Sequence, residues 1–145
     1  MDVLIRLGIV LGVVLVAVVL VQGGRWFVEG KRRQALAAAP LPLSQDQMVS
    51  GRVHILVFSS EDCRQCHTHQ KPAIERVLAL RSGVVSAEEI DAPNHPELTE
   101  RYHILTVPST VVLDAAGNAQ VVNYGFAPTQ QLLNQIDAVQ VPALA

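Results

Sequence analysis

Hydrophobic and polar positions divide the chain into two regimes. Residues 7–21 are apolar throughout except for Gly8 and Gly12, and no charge occurs from Leu7 to Gly24. A stretch apolar on every side has no polar face to turn to water. Eighteen residues at about 1.5 Å each span roughly 27 Å as a helix, close to the hydrocarbon thickness of a bilayer. β-Branched Val forms helix poorly in water, but in lipid the backbone must satisfy its own hydrogen bonds, so helix wins. The pattern predicts one N-terminal transmembrane helix, with Arg6 at one end and Trp26 at the other interface. Gln22-Gly23-Gly24 runs into Arg-Trp-Phe, and Ala37-Ala38-Ala39, which would suit a peptidase, lies far beyond the run, so an uncleaved anchor is favoured over a signal peptide.

Beyond the span the pattern shortens. Residues 34–42 are rich in Ala, Leu and Pro, and Pro40 and Pro42 predict an extended spacer. Residues 44–48 predict a short capped turn. Residues 53–58 (VHILVF) read as a buried strand, being short, apolar and β-branched. Residues 62–81 read as a helix, with Ile74, Val77, Leu78 and Arg81 at helical spacing and Pro72 as a kink. A second strand is expected over 84–90 and a short helix over 96–102. Strands at 110–113 and 119–124 flank the turn DAAGN and predict a hairpin. A last helix over 129–139 places Leu132, Leu133 and Ile136 on one face, with Thr129 as its cap. The order βαβαββα predicts an α/β domain, a mixed sheet with flanking helices, preceded by the transmembrane helix. The chain divides into an anchor with a basic flank (1–33), a linker (34–52) and a domain (53–145).

Charge follows the same division. The net charge of −2 is +3 over residues 1–33 (five Lys/Arg, two acids) and −5 over 34–145 (six Lys/Arg, eleven acids). No basic face is concentrated on the domain, so nucleic acid is not an expected partner. Arg25, Lys31, Arg32 and Arg33 follow the span and outweigh Arg6 with the α-amine. The positive-inside rule therefore favours a cytoplasmic domain on a single-pass membrane protein, with an extracytoplasmic domain as the alternative.

The two cysteines, Cys63 and Cys66, stand three apart between a strand and a helix. A thiolate at a helix N-terminus faces unpaired N–H groups and the positive end of the helix dipole, which favours the nucleophilic form. Cys63 is expected at the exposed corner and Cys66, one turn in, more buried. Cys63 would then attack a partner sulfur and Cys66 resolve the mixed disulfide. Three other readings compete. A purely structural bridge across so short a loop restrains the unfolded chain little. A zinc site of Cys63, Cys66, His67 and His69 would crowd four ligands into one helix start. Covalent haem at CRQCH, with His67 as axial ligand, would make an electron-transfer protein. His54 and His103 read as structural or surface groups, and His67 and His69 as a solvated helix face.

Over roughly residues 53–139 the sequence resembles the thioredoxin family. HILVF leads into CRQC; Ile90-Asp91 closes a strand; PELTERYHI follows; Val107-Pro108-Ser109 resembles the family's Val-Pro-Thr loop; Gly117, Gly125 and a closing helix complete the order. The resemblance implies a cis Pro108, and a substrate segment added as a strand along Thr106 and Val107. It implies a thiol–disulfide oxidoreductase acting on protein thiols and disulfides, served by a redox partner such as a reductase, with no metal and no cofactor. A redox-inactive adaptor of the same fold is the remaining alternative. Four departures stand out. Asp62 replaces the usual Trp. Val57 replaces the buried acid assigned to proton transfer, for which Glu61, Asp62, His67 or a water would have to substitute. Pro72 comes six residues after Cys66 where thioredoxins usually have five. The space before residue 53 is too short for the usual leading strand and helix, which predicts a sheet trimmed to four strands.

Overall fold

A computed structural model describes residues 2–40 and 51–140. Backbone contacts divide the chain into Met1–Arg33 and Gln34–Ala145. Helix α1 runs Asp2–Leu36, and its segment Arg6–Leu36 is long and apolar enough to cross a membrane. Large apolar side chains are exposed all round it, Val13, Leu15 and Leu20 among them. At its basic end Glu29 pairs with Arg32 (3.8 Å) and Arg33 (3.7 Å), and Lys31 lies 5.9 Å from the Phe27 ring centroid. Residues 34–36 are helical, not extended as the two prolines suggested. Gln, Ala and Leu are good helix formers, and a proline restricts only the residue before it. Within the second unit Ala35 is fully buried in the core, with Leu36 and Ala38 packed beside it. The turn expected at 44–48 lies outside the described residues.

The second unit is built on four strands: β1 (Val53–Ser59), β2 (Val85–Asp91), β3 (Ser109–Leu113) and β4 (Ala119–Tyr124). Their order is β2-β1-β3-β4, with β1–β2 parallel and the other pairs antiparallel. The continuous apolar run of β1 explains its central place, since every residue in it is buried and both faces are covered. On one face Val53, Ile55 and Val57 pack with α2 (Lys71–Leu80) and α4 (Thr129–Gln140), through Ile74, Val77, Leu132 and Ile136. On the other, Leu56 and Phe58 pack with Tyr102, at the end of α3 (Pro96–Arg101), and with Ile90 and Val111. Among the described residues no strand precedes β1, so β2 is a sheet edge, as the short spacing predicted.

The helix expected over 62–81 differs in its first part. Residues 61–62 form a turn, helix begins at Arg64, and Cys66–Gln70 form a π turn before α2. The Lys71 N–H donates to the Cys66 carbonyl, five residues back. The one residue extra between Cys66 and Pro72 is thus taken up as a wider turn. Pro72 falls in the first turn of α2, where its missing N–H costs little. Thr129 does not cap its own helix: its hydroxyl donates to the Ala73 carbonyl (3.4 Å), tying α4 to α2.

The β3–β4 turn is held by one carboxylate. Asp114 Oδ1 accepts from the Ala116 and Asn118 N–H groups (2.9 and 3.0 Å), Oδ2 accepts from Gln120 Nε2 (2.8 Å), and Gly117 takes the positive φ of 82° the turn requires. Partial burial pushes the Asp114 pKa up, but the bonds from Asn118, Gln120 and Ala116 outweigh it, and the pKa lies below its ordinary value. A depressed carboxyl pKa contributes stability present above about pH 4 and lost as the pH falls through the folded value. Asp114→Ala is expected to cost about 1–2 kcal/mol at neutral pH. It should also flatten the acid limb of a stability–pH curve measured by urea unfolding. An acid limb identical to wild type would contradict this.

Candidate functional site

Strand register gathers four loops at one end of the sheet. Ser59 pairs with Asp91, Phe58 with Ser109, and Ser109 with Tyr124. Segments 60–63, 92–95, 106–108 and 125–128 therefore meet the sheet at a common end, although they are far apart in sequence.

Cys63 sits at the corner between β1 and the helix. Its N–H donates to the Ser60 carbonyl (3.0 Å), and its own carbonyl accepts from the N–H groups of Cys66 (3.1 Å) and His67 (3.3 Å). The Cys66 N–H also donates to Cys63 Sγ at 3.2 Å. The sulfur thus stands where a Ser or Asp oxygen would cap a helix, facing the positive end of its dipole. The two sulfurs form a disulfide, with the Cα atoms 5.3 Å apart. Cys63 is half-buried and Cys66 is 3% exposed. Such a pair can open to a dithiol and close again, its outer sulfur meeting a partner first.

The two histidines that follow Cys66 each have a contact of their own. His67 Nε2 lies 3.1 Å from the Glu61 carbonyl, and the His69 ring centroid lies 5.9 Å from that of Phe126. Among the described residues no group of three or more His, Cys, Asp or Glu is gathered as a metal site would need. His54 is buried in β1, with Nδ1 2.7 Å from Ser86 Oγ and Nε2 3.5 Å from Glu88.

The Val107–Pro108 peptide bond is cis. Thr106 is exposed, Val107 half-buried and Pro108 buried, and Ser109 Oγ donates to the Thr106 carbonyl at 2.6 Å. This segment enters β3 at the sheet end where β1 departs toward Cys63.

Three residues escaped the sequence reading. Gln70 is fully buried and pairs with the backbone of Ala127: Nε2 donates to the carbonyl (3.2 Å), and Oε1 accepts from the N–H (2.9 Å). Phe126, 40% exposed beside His69, belongs to the same loop. Glu89 on β2 stands opposite Val57 in the register and accepts a hydrogen bond from Ser59 Oγ at 2.7 Å. Glu89, Ser59 and Cys66 line one cavity of about 170 Å³, with Val57, Ile74 and Ala87 among its apolar walls and Lys71 and Glu75 also on it. Parallel pairing would have revealed Glu89, because it places 85, 87 and 89 on the face of 53, 55 and 57. Nothing local marks Gln70.

The fold of the second unit is shared with solved thioredoxin structures. Chloroplastic thioredoxin z is 23% identical, with a TM-score of 0.56 over 68% of this chain and 92% of its own. The germline-specific thioredoxin Deadhead from Drosophila melanogaster is 22% identical, with a TM-score of 0.54 over 61% of this chain and 81% of its own. A mutant thioredoxin from Halobacterium salinarum is 22% identical, with a TM-score of 0.55 over 65% and 80%. The domain has the thioredoxin fold. No family model and no curated protein matches the chain. Among the described residues this thioredoxin fold has four strands, with β2 at the edge.

Proposed function

We propose that the protein is a membrane-anchored thiol–disulfide oxidoreductase acting on protein thiols and disulfides. The observation that carries this reading is the Cys63–Cys66 disulfide at a helix start, with one sulfur residue half-buried and the other 3% exposed. Cys63 is the attacking sulfur, aided by the capping N–H of Cys66; Cys66 resolves. Thr106, Val107 and Pro108 form the backbone edge along which a substrate segment lies as an added strand. The long apolar helix supports a single-pass anchor. The positive charges after the span support a cytoplasmic domain, which would be kept reduced by a reductase partner and act as a reductant.

Cys63→Ala is expected to abolish reduction of insulin disulfides by the purified full chain, measured as loss of dithiothreitol-driven turbidity. Activity above background in this variant would remove the assignment. Protease accessibility of the domain in intact cells tests the membrane side: protection supports the cytoplasmic placement, and cleavage reverses it.

A further inference from the structure

We propose that Glu89 is the proton acceptor for the Cys66 thiol, reached across the cavity that both residues line. This rests on the oxidoreductase reading and adds the group that makes its second half-reaction run at neutral pH.

The chemistry requires such a group. In the forward direction the Cys63 thiolate attacks a substrate disulfide, forming a mixed disulfide and expelling one substrate thiolate, which takes a proton from solvent. The Cys66 thiol must then lose its proton to attack Cys63 Sγ. That attack forms the Cys63–Cys66 bond, breaks the mixed disulfide and releases the second substrate thiolate. The dithiol is oxidised by two electrons and the substrate disulfide is reduced. The Cys66 proton passes to Glu89 and from there to the solvent or the departing thiolate. A thiol on a residue 3% exposed has no bulk water to accept its proton, and an unassisted thiol titrates near pH 8.5.

Several observations single out Glu89. Val57, on the strand leading to the cysteines, is apolar, but its register partner on β2 is Glu89. Ser59, buried at the end of β1, donates to Glu89 Oε1 at 2.7 Å, which orients the carboxylate and leaves Oε2 as acceptor. Ser59 and Glu89 both line the cavity that Cys66 borders. At about 170 Å³, the cavity has room for a short chain of waters, each taking about 30 Å³ of liquid volume. Glu89 is itself exposed on an edge strand, so a proton taken there has a direct exit. The other charged groups facing the cavity are Lys71 and Glu75, from α2. On β2 itself, Glu88 lies on the opposite face beside His54, and Asp91 accepts from Asn94. Glu75 is the rival acid, but among the described residues no hydrogen bond anchors it as Ser59 anchors Glu89.

Stopped-flow reaction of the reduced full chain in detergent with Ellman's reagent separates the steps. Release of the first thionitrobenzoate reports attack by Cys63, and release of the second reports closure by Cys66. In Glu89→Gln the first phase should match wild type, showing an intact fold and nucleophile. The second phase should slow about tenfold or more at pH 7, a loss in the range of general-base effects. The deficit should narrow as the pH rises, because hydroxide then competes with the missing carboxylate for the thiol proton. A Glu89→Gln second phase with wild-type rate and pH profile overturns the proposal, as does a deficit that appears in Glu75→Gln instead. Wild-type protein that reacts at Cys63 but never shows a second phase removes the oxidoreductase reading and this proposal together.

Discussion

Cys66→Ala is expected to convert the protein from a catalyst into a trap. Cys63 would keep its place as helix cap, because the N–H at position 66 that faces its sulfur belongs to the backbone. Attack on a substrate disulfide should therefore proceed, and the mixed disulfide should persist. In the native chain the second sulfur is carried on a residue whose Cα lies 5.3 Å from that of Cys63. A well-placed intramolecular nucleophile acts at an effective molarity of about 10⁵ M or higher, far above any external thiol. Losing it should lower multiple-turnover activity at least about 10³-fold, even with millimolar dithiothreitol present. Mass spectrometry of full chain incubated with an oxidised protein substrate should find the covalent adduct on Cys63. Release of substrate at the wild-type rate would show that Cys66 has no resolving role.

The second large effect is expected at Gln70. Its side-chain amide presents to Ala127 the donor and acceptor that a neighbouring strand would offer, at 3.2 and 2.9 Å, with no exposed surface. Gln70→Ala would leave a buried N–H and a buried carbonyl without partners and open a space among apolar neighbours. Each orphaned group costs about 1–3 kcal/mol, so a loss of roughly 3 kcal/mol or more is expected. Gln70→Glu should be no better, because it keeps the acceptor but turns a carboxylate oxygen toward the Ala127 carbonyl. Urea unfolding of the full chain, followed by far-UV circular dichroism at the domain transition, would measure both. A loss below about 1 kcal/mol for Gln70→Ala would mean that the loop relaxes to satisfy itself. Gln70 closes the π turn that Cys66 opens, and Phe126 precedes Ala127. A loosened loop should therefore also be seen as faster hydrogen exchange at Ala127.

What the sequence discloses of this molecule depends on how local the cause is. The strand VHILVF, the hairpin around Gly117 and the face of Leu132, Leu133 and Ile136 each follow from periodicity or turn chemistry within a dozen residues. Strand bounds shift by one residue or so: 85–91 in place of 84–90, and 109–113 in place of 110–113. The cysteine corner is legible because the strand, the turn and the helix start are contiguous. Glu89 is not, because only the pairing of β1 with β2 brings a residue twenty-six positions beyond Cys63 opposite Val57. Gln70 is not, because a buried glutamine looks like any other helical glutamine until its partner across the fold is known. The helical ending at Leu36 was obscured by two prolines whose influence stops short of it.

The wider turn at Cys66–Gln70 bears on how this chain should be compared with others. An insertion inside a helix rotates every later residue by about 100° and, left uncorrected, turns a buried face outward. Here the surplus residue is confined to one turn, and Ile74 and Val77 still reach the core. A residue-by-residue alignment would place a gap in this stretch and score it as divergence. In three dimensions it is one wide turn between β1 and α2. The wide turn begins at Cys66 itself, so any change of length there would be felt first at the buried sulfur and only then along α2.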